Sequence, residues 1–273
     1  MTANRAGEIV ANYCYITAMN WSDEGYVLSV RRHGEAAAIV NLLTREHGRH
    51  VGLVRGGMGR RLRGVLQPGN RVAADWRGRL AEHLGSYTVE GIRDHAAGLL
   101  SDGDRLAGLT AAAAVVEAAL PEREPHLPIH DAFASLLDAL ASSNVWAAVY
   151  VRFELGLLAE LGFGLDLSRC AVTGEAEDLA HVSPRTARAV SRAAAGPYKE
   201  RLLPLPPFLL PNAPEDLTTQ DILDGLKLTG YFLDRSVFAP HNRALPGPRD
   251  RLVARLVRRI SRTDKSTNGT MAP

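Results

Sequence analysis

The sequence predicts an α+β protein: an N-terminal five-stranded OB-fold barrel followed by a mostly α-helical domain with an irregular insert. Between residues 25 and 92 the apolar residues come in short period-two or continuous stretches with no full helical repeat between them, the pattern of strands. From residue 106 they recur at spacings of three and four, the pattern of helix faces. Of the 273 residues 46% are hydrophobic and 23% charged, which is enough apolar material for a real core and excludes a disordered, collagen-like or coiled-coil chain.

Taken in order, Tyr26 to Arg32 reads as the first strand, Ala38 to Leu43 as the second and His50 to Arg55 as the third. A Gly- and Arg-rich connection, Gly56–Gly69, follows. Arg71 to Leu80 alternates, with Val72, Ala74, Trp76 and Leu80 on one face and Arg71, Asp75, Arg77 and Arg79 on the other, as in a half-buried strand with a basic outside. Leu84 to Ile92 is the fifth strand, with Tyr87 and Val89 opposite Ser86, Thr88 and Glu90. Five short strands in this space fit an OB-type barrel, and an SH3-like barrel would give much the same pattern. Tyr26 and Tyr87 read as barrel core.

Leu106, Leu109, Ala113, Val116 and Leu120 share one helix face, and Pro121 ends the run. Ile129, Phe133, Leu136 and Leu140 repeat the pattern. Asn144 is placed to cap a third helix carrying Val151, Phe153, Leu155, Leu157, Leu158 and Leu161. Residues 166–214 contain seven prolines and read as the irregular insert. One helix is expected from Thr219 to Asp234 and a last one from Pro248 to Arg262, with Leu252, Leu256 and Ile260 facing in and Arg251, Arg255, Arg258, Arg259 and Arg262 facing out. The expected organisation is a barrel over 19–95, a helical domain over 96–262 and a flexible tail over 263–273, with residues 1–18 an extension before a natural start at Met19.

The formal charge of +2 hides a segregation: residues 19–94 sum to +4, residues 95–242 to −8 and residues 243–273 to +6. The basic residues are 29 Arg and only three Lys, and residues 45–79 hold nine Arg (45, 49, 55, 60, 61, 63, 71, 77 and 79) against two acids. A charge run of this kind ordinarily makes a solvated face. Arg in place of Lys, on one strand face and an adjoining glycine-rich connection of an OB-like barrel, points instead to nucleic-acid phosphates. The candidate contacts are Arg32, Arg45, Arg49, Arg55, Arg60, Arg61, Arg63, Arg71, Arg77 and Arg79. With only 6% aromatic residues, binding should be mainly electrostatic and indifferent to base sequence.

Evidence for catalysis is lacking. The stretch Gly56 to Gly64 lacks the Gly-Lys-Ser/Thr ending of a P-loop, and no Gly-x-Ser-x-Gly, His-Glu-x-x-His or Cys-x-x-Cys occurs. Glu46, His47 and His50 read as a polar turn, with no further residues to complete a metal set. Cys14 and Cys170 cannot build a disulfide framework, which fits a reducing cytoplasm, and Cys170 lacks a basic setting that would activate it. No cofactor is implied, and no apolar run approaches a membrane span.

Several segments are nevertheless familiar: Asp23-Glu24-Gly25-Tyr26-Val27-Leu28, Arg32-His33-Gly34-Glu35, Leu42 to Gly48, Leu53 to Gly57, Leu66-Gln67-Pro68-Gly69-Asn70 and Glu160 to Leu167. In this order they resemble the RecO family of bacterial DNA-repair mediators, in a form that looks alphaproteobacterial, from about Trp21 to residue 257. The resemblance implies an OB domain followed by a helical domain, and a non-enzymatic protein of the cytoplasm and nucleoid. It implies binding of single-stranded and double-stranded DNA, strand annealing, and work with RecR to load RecA on strands coated by single-strand-binding protein. Contact with the acidic C-terminal tail of that protein would need an Arg beside an apolar groove on the helical domain, for which Arg123 and Arg152 are candidates by position. Some relatives carry a four-Cys zinc site. Here Cys170 matches one ligand, Thr173 stands at the second, and the second pair falls at Ser191-Arg192-Ala193-Ala194, so the loop is expected to persist without metal.

Overall fold

The computed structural model describes residues 19–211 and 216–268. The first part is a closed five-stranded barrel of order β1-β2-β3-β5-β4, formed by β1 (Met19–His33), β2 (Ala37–Thr44), β3 (Arg49–Val54), β4 (Arg71–Gly78) and β5 (Ser86–Arg93). β1 closes it by pairing antiparallel with β4 through its first half and with β2 through its second, a bulge between Val27 and Ser29 marking the handover. β3 and β5 pair in parallel over Leu53–Ser86 and Val54–Tyr87. Val27, Val40, Leu42, Val72, Trp76 and Val89 fill the interior.

β1 begins seven residues before the expected Tyr26, because its polar first half (Asn20, Ser22, Asp23, Glu24) is held by the ladder to β4 and needs no apolar run. Leu80, expected inside, is 50% exposed, since β4 ends at Gly78. Tyr26 is buried but not in the barrel: with Leu28 and Leu43 it faces outward into the helical core, its ring centroid 5.5 Å from that of Phe133. The connection between β3 and β4 forms one helical turn, α1 (Arg60–Arg63), and Leu62 and Leu66 from this region plug the barrel end.

The short helix α2 (His95–Leu99) leads into α3 (Gly103–Ala119), α4 (Leu127–Ser142) and α5 (Trp146–Glu160), whose expected apolar faces form the second core. The N-cap of α5 is Val145 rather than Asn144; Ser143 Oγ accepts the Val145 N–H at 3.1 Å. The insert holds a small antiparallel sheet of β6 (Leu179–Val182), β7 (Ala189–Ser191) and β8 (Leu203–Pro204), with α6 (Arg192–Ala195) after β7. These strands of two to four residues are too short to register as periodicity. α7 (Thr219–Phe232) starts with a Thr218–Asp221 capping box and runs on into a π turn over Leu233–Phe238. α8 (Gly247–Asn268) continues past its expected end at 262 into the segment read as a tail; the side chains of Ile260 and Arg262, the remaining tail and the expected extension 1–18 lie outside the described residues. Among the described residues no helix is long and apolar enough to cross a membrane.

One ion pair ties α5, α7 and α8 together. Arg249 donates from Nε to Glu154 Oε1 at 2.7 Å and from Nη2 to Glu154 Oε2 at 2.8 Å, and both side chains are almost fully buried. Thr229 Oγ1 donates to the same carboxylate at 2.5 Å, and Arg249 Nη2 also reaches the Leu226 carbonyl at 2.8 Å. Gly230 makes room for the guanidinium, since a Cβ there would lie 2.7 Å from Arg249 Nη1. Removing one member of such a pair strands a buried charge, whereas replacing both by apolar groups removes the problem. Glu154→Ala should therefore cost about 3–5 kcal/mol in urea unfolding, and the Glu154→Leu, Arg249→Met double variant clearly less.

Candidate nucleic-acid interface

Because β1, β3 and β5 run parallel to one another and antiparallel to β2 and β4, one end of the barrel collects the ends of β1, β3 and β5 and the starts of β2 and β4. α1 sits on this end. Burial of Leu62 and Leu66, four residues apart, turns Arg60, Arg61 and Arg63 out to solvent. The connection is pinned by Met58 N–H to the Ala36 carbonyl at 3.0 Å and by Asn70, whose Nδ2 donates to the Gly64 carbonyl at 2.9 Å while its Oδ1 accepts Ala96 N–H at 3.0 Å. Arg32 near the end of β1 and Arg55 just past β3 lie at the same end, and Arg71 from β4 and Arg93 from β5 border α1 there.

Hydrogen bonding sorts the ten candidate arginines. Arg55, Arg60, Arg61, Arg63, Arg77 and Arg79 are exposed, and among the described residues none has a carboxylate within ion-pair distance; Arg31, absent from the sequence reading, joins them. Four are engaged. Arg32 donates to the Gly34 and Glu35 carbonyls of its own hairpin, Arg71 pairs with Glu24, and Arg45 pairs with Asp131 at 2.8 Å. Arg49 is mostly buried, donating from Nε to the Leu120 carbonyl at 2.9 Å and pairing with Glu122, so it fastens the barrel to the helical domain.

The outside of β4 is not the continuous basic surface its alternation suggested. Asp75 accepts Ser22 Oγ at 2.5 Å, Glu24 holds Arg71, and Glu90 lies opposite Ala73, so carboxylates interrupt the strand face. Arg77 stands six residues from Arg71, about 20 Å along the strand. The basic residues that converge are those around α1.

Beside α1 a groove of about 410 Å³ is lined by Arg60, Arg61, Arg71 and Arg93 over a floor that includes Val65, Gly91 and Ile92. Arg93, which the sequence reading omitted, pairs with Asp138 at 3.1 Å across an exposed contact. Its signal was its place as the last residue of the fifth strand, directly opposite Arg71.

Arg123 donates to the Glu82 and His83 carbonyls of the β4–β5 loop at 2.9 and 3.3 Å, and Arg152 to the Phe208 carbonyl at 2.5 Å. Neither lines the apolar groove of about 500 Å³ between α7 and α8, where Leu223, Leu226, Leu245 and Val253 surround the exposed Lys227. On the outer side of α8, Arg255 and Arg259 pair with Asp104 of α3.

Glu46 and His47 form a polar turn on Asp23, whose Oδ2 accepts the Glu46 N–H at 2.8 Å and lies 3.0 Å from His47 Nδ1. Among the described residues no three His, Cys, Asp or Glu are grouped to hold a metal. No His or cation among the described residues acts on Cys170; burial pushes its thiol up, but hydrogen bonds from Ser191 and Thr173 outweigh it and bring the pKa down to about 6. The Ser191 N–H lies 3.3 Å from Cys170 Sγ, so β7 and the Cys170–Thr173 turn meet around this one sulfur.

At the far end of the barrel His50 is buried and shares a hydrogen bond of 2.9 Å with the Tyr87 hydroxyl. Burial, then the Arg123 and His47 charges, pull its pKa from 6.5 down to about 4. A histidine depressed in the folded state leaves stability intact above pH 6.5 and removes it as pH falls towards 4, because the unfolded chain takes up the proton first. Stability should fall by up to about 3 kcal/mol over that window, and His50→Gln should flatten the fall, as followed by urea midpoints at several pH values. In the same assay Arg49→Ala should destabilise by about 1–3 kcal/mol, while Ala at Arg60, Arg61 and Arg63 should leave stability within about 0.5 kcal/mol for each site.

The sequence matches two family descriptions, "Recombination protein O N terminal" over residues 19–94 and "Recombination protein O C terminal" over residues 100–245. It is 55% identical over 252 residues to the DNA repair protein RecO of Rhodospirillum rubrum, covering 90% of this chain and 100% of that one. It is 54% identical to that of Rhodospirillum centenum, covering 87% and 94%, and 53% identical to that of Phenylobacterium zucineum, covering 87% and 98%. With both halves matched and relatives aligned over almost their whole length, the chain belongs to the RecO family of DNA repair proteins.

Proposed function

We propose that this protein binds and anneals DNA in recombinational repair without catalysing a covalent step, and that the arginines around α1 contact the phosphates. The observation that carries this is that Arg55, Arg60, Arg61 and Arg63, exposed and without a carboxylate partner among the described residues, all lie on the one connection at one end of the barrel. Solvated surface charge needs no such clustering. Guanidinium groups held free of acids can replace the condensed counterions of a DNA strand, and a surface that does so for two strands lowers the repulsion that keeps them apart. Annealing then needs no hydrolysis. Arg32, Arg45 and Arg71 sit in exposed contacts worth little and can exchange them for phosphate, and Arg77 and Arg79 extend the surface towards the other end of the barrel. Arg49 serves the domain interface instead.

In this reading the protein works in the cytoplasm on the nucleoid, on single-stranded and double-stranded DNA, with RecR and indirectly RecA. The acidic tail of single-strand-binding protein would dock in the apolar groove between α7 and α8, with Lys227 as the basic residue the tail requires in place of Arg123 or Arg152. The adaptor alternative, in which the Arg cluster meets an acidic protein segment, predicts partner capture that uses the same arginines but survives without DNA, and no DNA binding by the barrel. RNA binding is disfavoured by the inward placement of Trp76 and Tyr87, which leaves few base-reading rings on the barrel.

Titration of a fluorescent single strand at several salt concentrations should give a steep log–log slope, reduced by roughly two when Arg60, Arg61 and Arg63 become Ala, since each lost single-strand phosphate contact removes about 0.7. An unchanged slope contradicts the assignment. Lys227→Glu should abolish capture of a peptide of the acidic tail while leaving the DNA titration unchanged.

A further inference from the structure

The groove beside α1 has a property that phosphate binding alone does not use. Its lining sets Arg60, Arg61, Arg71 and Arg93 beside an apolar floor of Val65, Gly91 and the exposed Ile92, and the one acid that also lines it, Asp94, is engaged as the N-cap of α2, accepting the Ala97 N–H at 3.0 Å. Gly91 matters here, because a side chain on it would project beside Val65 into the groove. Its backbone conformation is ordinary, and a Cβ there would meet Val65 Cγ2 at 3.4 Å, so its lack of a side chain is not demanded by the turn or by a clash. A volume of about 410 Å³ falls within the ~300–1,000 Å³ range of small-ligand sites.

We propose that this groove takes a single unstacked nucleotide of single-stranded DNA, its base lying on the Val65–Gly91–Ile92 floor and its flanking phosphates on Arg60 and Arg61 at one wall and Arg71 and Arg93 at the other. The proposal rests on the DNA-binding reading above and adds a discrimination to it. Arg71 and Arg93 are held by Glu24 and Asp138 in exposed ion pairs, which a phosphate displaces at little cost. Planar guanidinium groups also stack on base faces, so the walls supply part of what the scarce aromatic residues do not. A base inside a duplex is stacked on both faces and cannot enter, so duplex DNA meets only the arginine rim. The groove is therefore a site for single strands on a surface that otherwise attracts any DNA.

The test compares the full-length protein with Gly91→Leu, Ile92→Ser and the Arg60→Ala, Arg61→Ala pair, titrating a single-stranded oligonucleotide and a blunt duplex of equal length. Gly91→Leu fills the groove and should weaken single-strand binding roughly fivefold while leaving duplex binding within about twofold. Ile92→Ser changes a side chain that is 46% exposed, so it keeps the fold intact if Gly91→Leu does not, and it should weaken single-strand binding about twofold to threefold with the duplex unaffected. The arginine pair should weaken both ligands together. Equal losses on both DNA forms for the floor variants, or no loss on the single strand, overturn the groove proposal while the arginine result still stands. An arginine pair without effect on either ligand overturns the DNA-binding reading itself.

Discussion

The ribbon formed by β1 and β2 is buried on both of its faces, and the remaining architecture depends on this constraint. Val27, Val40 and Leu42 point into the barrel, while Tyr26, Leu28 and Leu43 point into the helical core. Adjacent residues thus serve two different cores, which ties the orientation of the barrel on the helices to the register of a single strand pair. Along this seam polar groups must be satisfied as well as apolar ones. Glu117 of α3 accepts Ser29 Oγ at 2.5 Å and Asn41 Nδ2 at 3.1 Å, and Arg49 and Arg123 reach across to backbone carbonyls. A barrel detached from the helices would expose Tyr26, Leu28 and Leu43 together, so the folded unit is the two parts joined.

That seam decides what each arginine does. Where the barrel meets helices, Arg45, Arg49 and Arg93 find carboxylates of α4 or of the segment after α3. Where it does not, on the connection through α1, Arg55, Arg60, Arg61 and Arg63 have no carboxylate partner among the described residues. Arg249 marks the opposite extreme: it is buried, bidentate on Glu154, and held more firmly protonated than an ordinary arginine because the carboxylate's charge outweighs the cost of its burial. The same side chain therefore acts as a structural clamp in the helical domain and as a free cation at the barrel end, and its surroundings make the difference.

Much of this was legible in the sequence. Leu109, Val116, Phe133, Leu136 and Leu140 lie in the core as their spacing required, and Val72, Ala74 and Trp76 line the barrel interior. Local pattern could not show partners distant in sequence. Arg49 looks like any other arginine of its cluster until Leu120 and Glu122 are brought beside it, and the basic outside of β4 looks continuous until Glu24 and Glu90 arrive from neighbouring strands. Tyr26 has the right parity for a strand but the wrong core, because the bulge after Val27 and the docking of α4 are tertiary facts. Cys170 owes its depressed thiol first to Ser191, twenty-one residues away, and then to Thr173 of its own turn. Arg93 was overlooked for a plainer reason, since it lies outside the dense run at 45–79 although it faces Arg71 across the ladder.

The central claim is one of place: DNA lies over the α1 end of the barrel rather than across the outer face of β2 and β3. Hydrogen–deuterium exchange of the full-length protein with and without a single-stranded oligonucleotide reads this directly, because bound DNA slows amide exchange where it covers the backbone. The account predicts new protection over residues 55–65 and 91–94 and little change over residues 37–43 and 49–53. Protection confined to β2 and β3, with the α1 connection exchanging as before, would contradict it.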